Sequence, residues 1–173
     1  MKENFTLKKA GIAAISFVLL ILFDQWTKSL AVANLMNQEP FVILEGIFQL
    51  RYLENRGAAF GMMQGQQTFF VISASIAVLA VLYIYFKLPW EKRFHPLRIV
   101  GICIGAGAVG NLIDRVVLGY VVDFFYFELI DFPIFNVADI YVTCATVVLA
   151  LLILFYYKED ELDCLLPKKK EKK

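Results

Sequence analysis

Uncharged apolar runs dominate the chain, at residues 10–23, 68–86, 99–113 and 140–157. A helix needs about 20 mostly apolar residues to cross a bilayer, so the pattern predicts four transmembrane helices, over about residues 10–35, 68–86, 98–115 and 138–157. The first continues past its uncharged core through Asp24, Gln25 and Lys28, and the third is short enough that one or both of its charged flanks must dip into the membrane. A different rhythm occupies the stretch from Phe41 to Gly61. There Phe48, Leu50, Tyr52 and Glu54 alternate with Gln49, Arg51, Leu53 and Asn55, and Glu45-Gly46 offers a turn. Period-two alternation of this kind predicts short strands, here a small sheet resting on the membrane.

Composition supports the membrane reading. The chain has 173 residues, of which 60% are apolar and only 19% charged, and its mean hydropathy is +0.65. That is far from a soluble globule, and the whole chain reads as one integral membrane domain. Basic residues then set the orientation. Lys2, Lys8 and Lys9 precede the first span; Lys87, Lys92, Arg93 and Arg98 lie between the second and third; Lys168, Lys169, Lys170, Lys172 and Lys173 follow the fourth. These segments share one side, so both termini and a basic tail over 158–173 are expected in the cytoplasm. Residues 36–67 and 115–138 are expected outside. The net charge of +1 hides this asymmetry, and nothing in it suggests nucleic acid. A competing reading takes the N-terminal lysines, the apolar run and Ala31-Val32-Ala33 as a cleavable signal peptide, but Asp24 and Lys28 interrupt the stretch before that site. Cys103 and Cys144 fall within spans, Cys164 in the tail and His95 in the basic loop, so no disulfide, metal site or nucleophile pair is expected.

The topology gives each acid a depth. A helix entering near Ala10 has risen roughly 21 Å by Asp24, past the middle of a hydrocarbon layer about 30 Å thick. Asp114 ends the third span and Asp139 opens the fourth on the same side. Asp123 would be carried clear of the membrane by a continued helix, but Gly119 permits the chain to bend, and 121–127 is too apolar to float in water. That segment is expected in or against the interface, returning Asp123 toward Asp139. Salt bridging and capping explain any one acid: Asp114 with Arg115 or Lys28, Asp24 with Lys28, Asp139 as an N-cap. They do not explain the set, because bases at this level are few. Two carboxylates in a partly dry site divide one proton between them, one acting as acid and one as base, which is the chemistry of an aspartic peptidase. Asp139, at the positive end of a helix dipole, is the expected charged member and Asp123 the protonated one. Depth alone leaves Asp114 and Asp123 both open as its partner.

Two further motifs lie in the third span. "GAGAVG" at Gly105–Gly110 matches a dinucleotide fingerprint but sits mid-span, so Gly101, Gly105, Ala108 and Ala106 are read as small residues for close helix packing. "GNLIDR" places Asn111, Asp114 and Arg115 on one helix face. A proton relay or small transporter is the rival function, yet a relay strings its acids across the membrane and here they crowd one side.

Five blocks in order, "DQWTK" at Asp24, "NRGAAFG" at Asn55, "GNLIDR" at Gly110, "GYVVDF" at Gly119 and "FNVAD" at Phe135, resemble the lipoprotein signal peptidase (signal peptidase II) family over nearly the whole chain. The resemblance implies an aspartic endopeptidase of the bacterial inner membrane. It would remove the signal peptide from a prolipoprotein on the amino side of a diacylglyceryl-modified cysteine. It assigns the catalytic pair to Asp123 and Asp139, and pocket roles to Asp24, Lys28, Asn55, Gly57, Asn111, Asp114, Arg115 and Asn136. It implies no cofactor; the expected partners are the lipidated precursor and membrane lipids, and a monomer is expected.

Overall fold

A computed structural model describes residues 7–57 and 65–165. Its frame is four helices: α1 (Leu7–Leu35), α2 (Gln67–Lys87), α3 (His95–Val117) and α4 (Val137–Leu151). Each, with its flanking turns, is long and apolar enough to cross a membrane, over Lys9–Leu35, Gln67–Lys87, Lys92–Val117 and Val137–Tyr156. α3 lies at the centre and packs against the other three helices. α2 buries none of its residues, and large apolar side chains such as Leu79 and Phe86 stand about two-thirds exposed at 65% and 66%. A helix apolar on every face and covered by so little protein is stable only where lipid is the solvent. The third span begins earlier than the uncharged run predicts, because Arg98 enters the bundle. It is only 5% exposed, and its guanidinium donates to the carbonyls of Tyr85, Leu88 and Pro89. These carbonyls, left over at the end of α2, replace the water that a charge at this depth would otherwise need.

Glycines let α3 approach its neighbours, though the closest contacts are not at the positions singled out from the sequence. A Cβ on Gly107 would stand 2.5 Å from the Ala138 carbonyl oxygen, and one on Gly110 would stand 2.5 Å from Asp24 Oδ2; Gly101 meets nothing closer than 3.8 Å. Gly107 and Gly110 therefore set the α3–α4 and α3–α1 distances, and Gly101 does not.

A three-stranded antiparallel sheet, β1 (Phe41–Leu44), β2 (Phe48–Asn55) and β3 (Val121–Phe127), covers one end of the bundle. The expected turn at Glu45-Gly46 joins β1 to β2, with Gly46 at φ 68°. The third strand is the addition: 121–127, expected only as an interfacial segment, pairs with β2 from Phe48↔Phe127 to Asn55↔Val121. An apolar run in this position meets its backbone hydrogen-bond demand by pairing, and Gly119 at φ 84° supplies the bend out of α3. The sheet is anchored by a cluster in which Ala31 and Leu35 of α1 meet Val122, Phe124 and Val137. At the opposite end, residues 159–165 form a 3₁₀ segment after a π-helical turn over Leu152–Tyr156, and Arg93 pairs with Glu161 at 2.8 Å.

Candidate active site

At the sheet end, α1 and α3 build a buried ionic platform. Asp24 and Lys28 lie one helical turn apart, and Lys28 Nζ stands 3.0 Å from Asp24 Oδ2, 2.9 Å from Asp114 Oδ2 and 2.9 Å from Asn111 Oδ1. All three ionic residues are sealed from solvent, at 0% for Asp24, 3% for Lys28 and 2% for Asp114. Buried charges persist only when paired and fully hydrogen-bonded, and here the remaining oxygens are occupied. Asp24 Oδ1 accepts the Ala138 N–H at 2.9 Å, and Asp114 Oδ2 accepts the Val122 N–H at 3.1 Å. Gln25 Nε2 donates to Asp24, to the Gly110 carbonyl and to Asp114 Oδ1. The platform thus fixes the first turn of α4 and the start of β3, the two elements that carry the other acids.

Those acids are Asp123, in the middle of β3, and Asp139, in the first turn of α4. Asn136 joins them. Its Nδ2 donates to Asp123 Oδ1 at 2.6 Å, its backbone N–H donates to Asp139 Oδ2 at 3.2 Å, and its Oδ1 accepts the Asp139 N–H at 3.0 Å. The last two bonds form a capping box in which Asn136 is the N-cap and Asp139 the third helical residue. Asp139 thus shares in capping α4, as expected, but from the third helical position and not as the N-cap residue: its Oδ2 reaches back to the Asn136 N–H and its other oxygen is left for another partner. That oxygen, Oδ1, accepts from Asn111 Nδ2 at 2.8 Å. Asn55, at the end of β2, donates to Asp123 Oδ2 at 2.9 Å and accepts the Gly57 N–H at 3.0 Å.

Asp123 is 1% exposed. Burial, followed by the charge of Asp139, pushes its pKa up to about 7, against the opposing pull of the Asn55 and Asn136 amides and of Lys28. Near neutral pH it is therefore poised between acid and carboxylate while a second acid stands beside it. Among the described residues neither Asp123 nor Asp139 forms a salt bridge, and Arg115 reaches them only through its longer-range field. Nor do three His, Cys, Asp or Glu side chains converge there as ligands for a metal ion.

Every residue proposed from the sequence for this site is thus at the sheet end, and Asp24, Lys28, Asn55, Asn111, Asp114, Asp123, Asn136 and Asp139 form one continuous network. Gly57 is buried beside Asn55. Arg115 stands at the margin, its guanidinium bonded to the Asn111 carbonyl and 5.2 Å from the Phe70 ring centroid. The block beginning at Asn55 runs on through residues 58–61, which lie outside the described residues. Sequence reasoning missed Gln25 and Gly110. A glutamine beside Asp24 in an apolar helix was the available signal for the first; nothing short of the α1–α3 packing identifies the second.

The match to the family model "Signal peptidase (SPase) II" spans residues 16–155. The chain belongs to the signal peptidase II family. It is 43% identical over 146 residues to a lipoprotein signal peptidase of Streptococcus thermophilus, covering 84% of this chain and 92% of that one. It is likewise 43% identical over 140 residues to a lipoprotein signal peptidase of Clostridioides difficile, covering 80% and 92%. A solved bacterial membrane enzyme superposes with a TM-score of 0.75 at 28% identity, covering 99% of both chains. As a member of this family the chain is a membrane peptidase, and the matched span contains the whole network described above.

Proposed function

We propose that this peptidase removes the signal peptide from diacylglyceryl-modified prolipoproteins by hydrolysing the bond on the amino side of the lipidated cysteine, with Asp123 and Asp139 as the catalytic pair. The observation that carries the reading is the shared Asn136, which holds both carboxyls in direct hydrogen bonds from one residue. In the proposed cycle Asp139 is the carboxylate and takes a proton from a water as the water oxygen attacks the scissile carbonyl. Asp123 gives its proton to the carbonyl oxygen, and a neutral tetrahedral diol results. Asp139 then passes its proton to the leaving nitrogen, the C–N bond breaks, and Asp123 recovers a proton from the collapsing diol. Both groups return to their starting states with one water consumed.

The location suits the substrate. A precursor held in the bilayer by its acyl chains and signal helix presents its scissile bond near the interface. In this reading the enzyme sits in the bacterial inner membrane, and the basic-residue asymmetry supports a sheet end outside the cytoplasm with both termini within it. Exposed Phe41, Val42, Ile43 and Leu44 on β1, with Leu129, Ile130 and Phe132 after β3, give the sheet an apolar rim suited to lie on the interface and enclose the peptide. The enzyme would act as a monomeric single domain. Asn55, Gly57, Asn111, Asp114, Arg115, Asn136, Asp24 and Lys28 line or brace the pocket.

The test is incubation of the purified protein with a lipidated and a non-lipidated form of one precursor. Cleavage of the lipidated form alone supports the reading. Failure of the folded protein to cut either form rejects it.

A further inference from the structure

The two facing asparagines raise a question that the acids alone do not answer: what decides which end of each amide meets a carboxylate? An amide has an accepting oxygen and a donating nitrogen, and presenting the oxygen to an ionised acid repels it. Asn136 is settled by its capping role, since its Oδ1 accepts the Asp139 N–H and its Nδ2 must then point to Asp123. Asn111 has no such backbone constraint. Its Oδ1 accepts from Lys28 Nζ at 2.9 Å and from Asn136 Nδ2 at 3.1 Å, and its Nδ2 donates to Asp139 Oδ1. An ammonium has donors only, so Lys28 admits a single orientation of that amide.

We propose that Lys28 is a positioning residue whose bond to Asn111 Oδ1 locks the amide pair with its donors facing Asp139 and Asp123, keeping Asp139 the proton acceptor of the reaction. Lys28 touches neither acid directly among its hydrogen bonds and ion pairs. Beside its direct field at Asp123, Lys28 acts through one amide, and the polarisation of that amide by the ammonium strengthens the bond to Asp139. The charges facing the pair are Asp24 and Lys28 from α1 and Asp114 and Arg115 from α3.

The inference rests on the reading of Asp123 and Asp139 as the reacting pair, so its test combines activity with a direct titration. The informative variant is Lys28→Met combined with Asp24→Asn, which leaves the net charge of the Asp24, Lys28 and Asp114 group unchanged while removing the lysine donor, with Asp24→Asn alone as the control for the altered carboxylate. Two measurements are made on wild type and variant: the pH dependence of kcat/KM on a lipidated precursor, and carboxyl titration by NMR with labelled aspartate. The apparent titration steps of the pair should move upward by about one pH unit, with kcat/KM lowered about ten-fold. Lys28→Arg should restore the wild-type profile. In an Asn111→Ala background the double substitution should add nothing. An unmoved titration in the double variant, or an equal shift in the Asn111→Ala background, overturns the relay even if cleavage is active. Absence of cleavage by wild type overturns the peptidase reading instead, and the titration still decides the relay. Should the variants not fold, the wild type provides the decision: the Asn111 side-chain amide must exchange slowly with solvent, and fast exchange overturns the proposal.

Discussion

Two pairs of acids lie within one network at the same end of the bundle, yet they are treated in opposite ways. Asp24 and Asp114 share a buried ammonium at 3.0 and 2.9 Å, and their remaining oxygens are filled by amides of Ala138, Val122 and Gln25. Among the described residues, Asp123 and Asp139 receive only neutral donors, from Asn55, Asn111 and Asn136. The first pair is compensated and structural. The second is held in place without being neutralised, which leaves it a proton to exchange. Salt bridging, the ordinary explanation for intramembrane acids, therefore accounts for Asp24 and Asp114 and not for Asp123 and Asp139.

The largest effect expected from this contrast is on catalysis. Asp123→Asn or Asp139→Asn should each lower the cleavage rate by about 10³-fold or more while the protein still folds. Near-normal turnover in a folded variant of either would erase the distinction. Asp114→Ala tests the other side. It strips Lys28 of one partner and leaves the Val122 N–H unmet, so unfolding in detergent should show a loss of about 3–5 kcal/mol. A loss no greater than that of Asp139→Asn would mean that the two pairs are energetically alike.

A smaller effect is expected at Gly110, where an added methyl would stand 2.5 Å from Asp24 Oδ2. Gly110→Ala should cost about 1–3 kcal/mol by displacing that carboxylate, whereas Gly101→Ala, with its nearest neighbour at 3.8 Å, should be close to neutral. Thermal denaturation of both variants makes the comparison. The last effect concerns pH. The pKa of Asp123 is raised to about 7 in the folded protein, from about 3.9 in an unfolded chain. Its contribution to stability is fully present below the unfolded value and is lost as pH rises through the folded one. The melting temperature of wild type should accordingly fall relative to Asp123→Asn between about pH 4 and pH 8. A constant difference across that range would show that Asp123 is not the uncompensated acid described here.

The membrane helices were legible because run length against bilayer thickness is a local property. All four appear within a few residues of the expected bounds, except that α3 and its preceding turn begin at Lys92. The exception has a physical source: Arg98 counts as a boundary in a charge pattern, but carbonyls from the end of α2 make it a buried residue. The strand at 121–127 was not legible as a strand. A short apolar run is equally suited to an interface or to a sheet, and its partner in β2 lies about seventy residues earlier, beyond any local pattern. Among the acids, depth placed Asp24, Asp114 and Asp139 at one level, and only the family resemblance singled out Asp123 over Asp114.

The sequence by itself determined the number of spans, the level at which the acids gather and the family, because hydrophobic length, charge and short motifs are carried by neighbouring residues. Tertiary structure alone decided which acids are compensated and which are not. Lys28 is four residues from Asp24 but eighty-six from Asp114, and Asn136 reaches Asp123 only because β3 returns beside the start of α4. Charge compensation falls off within a few ångströms, so a carboxylate's role follows from its neighbours in space, and those are fixed by packing.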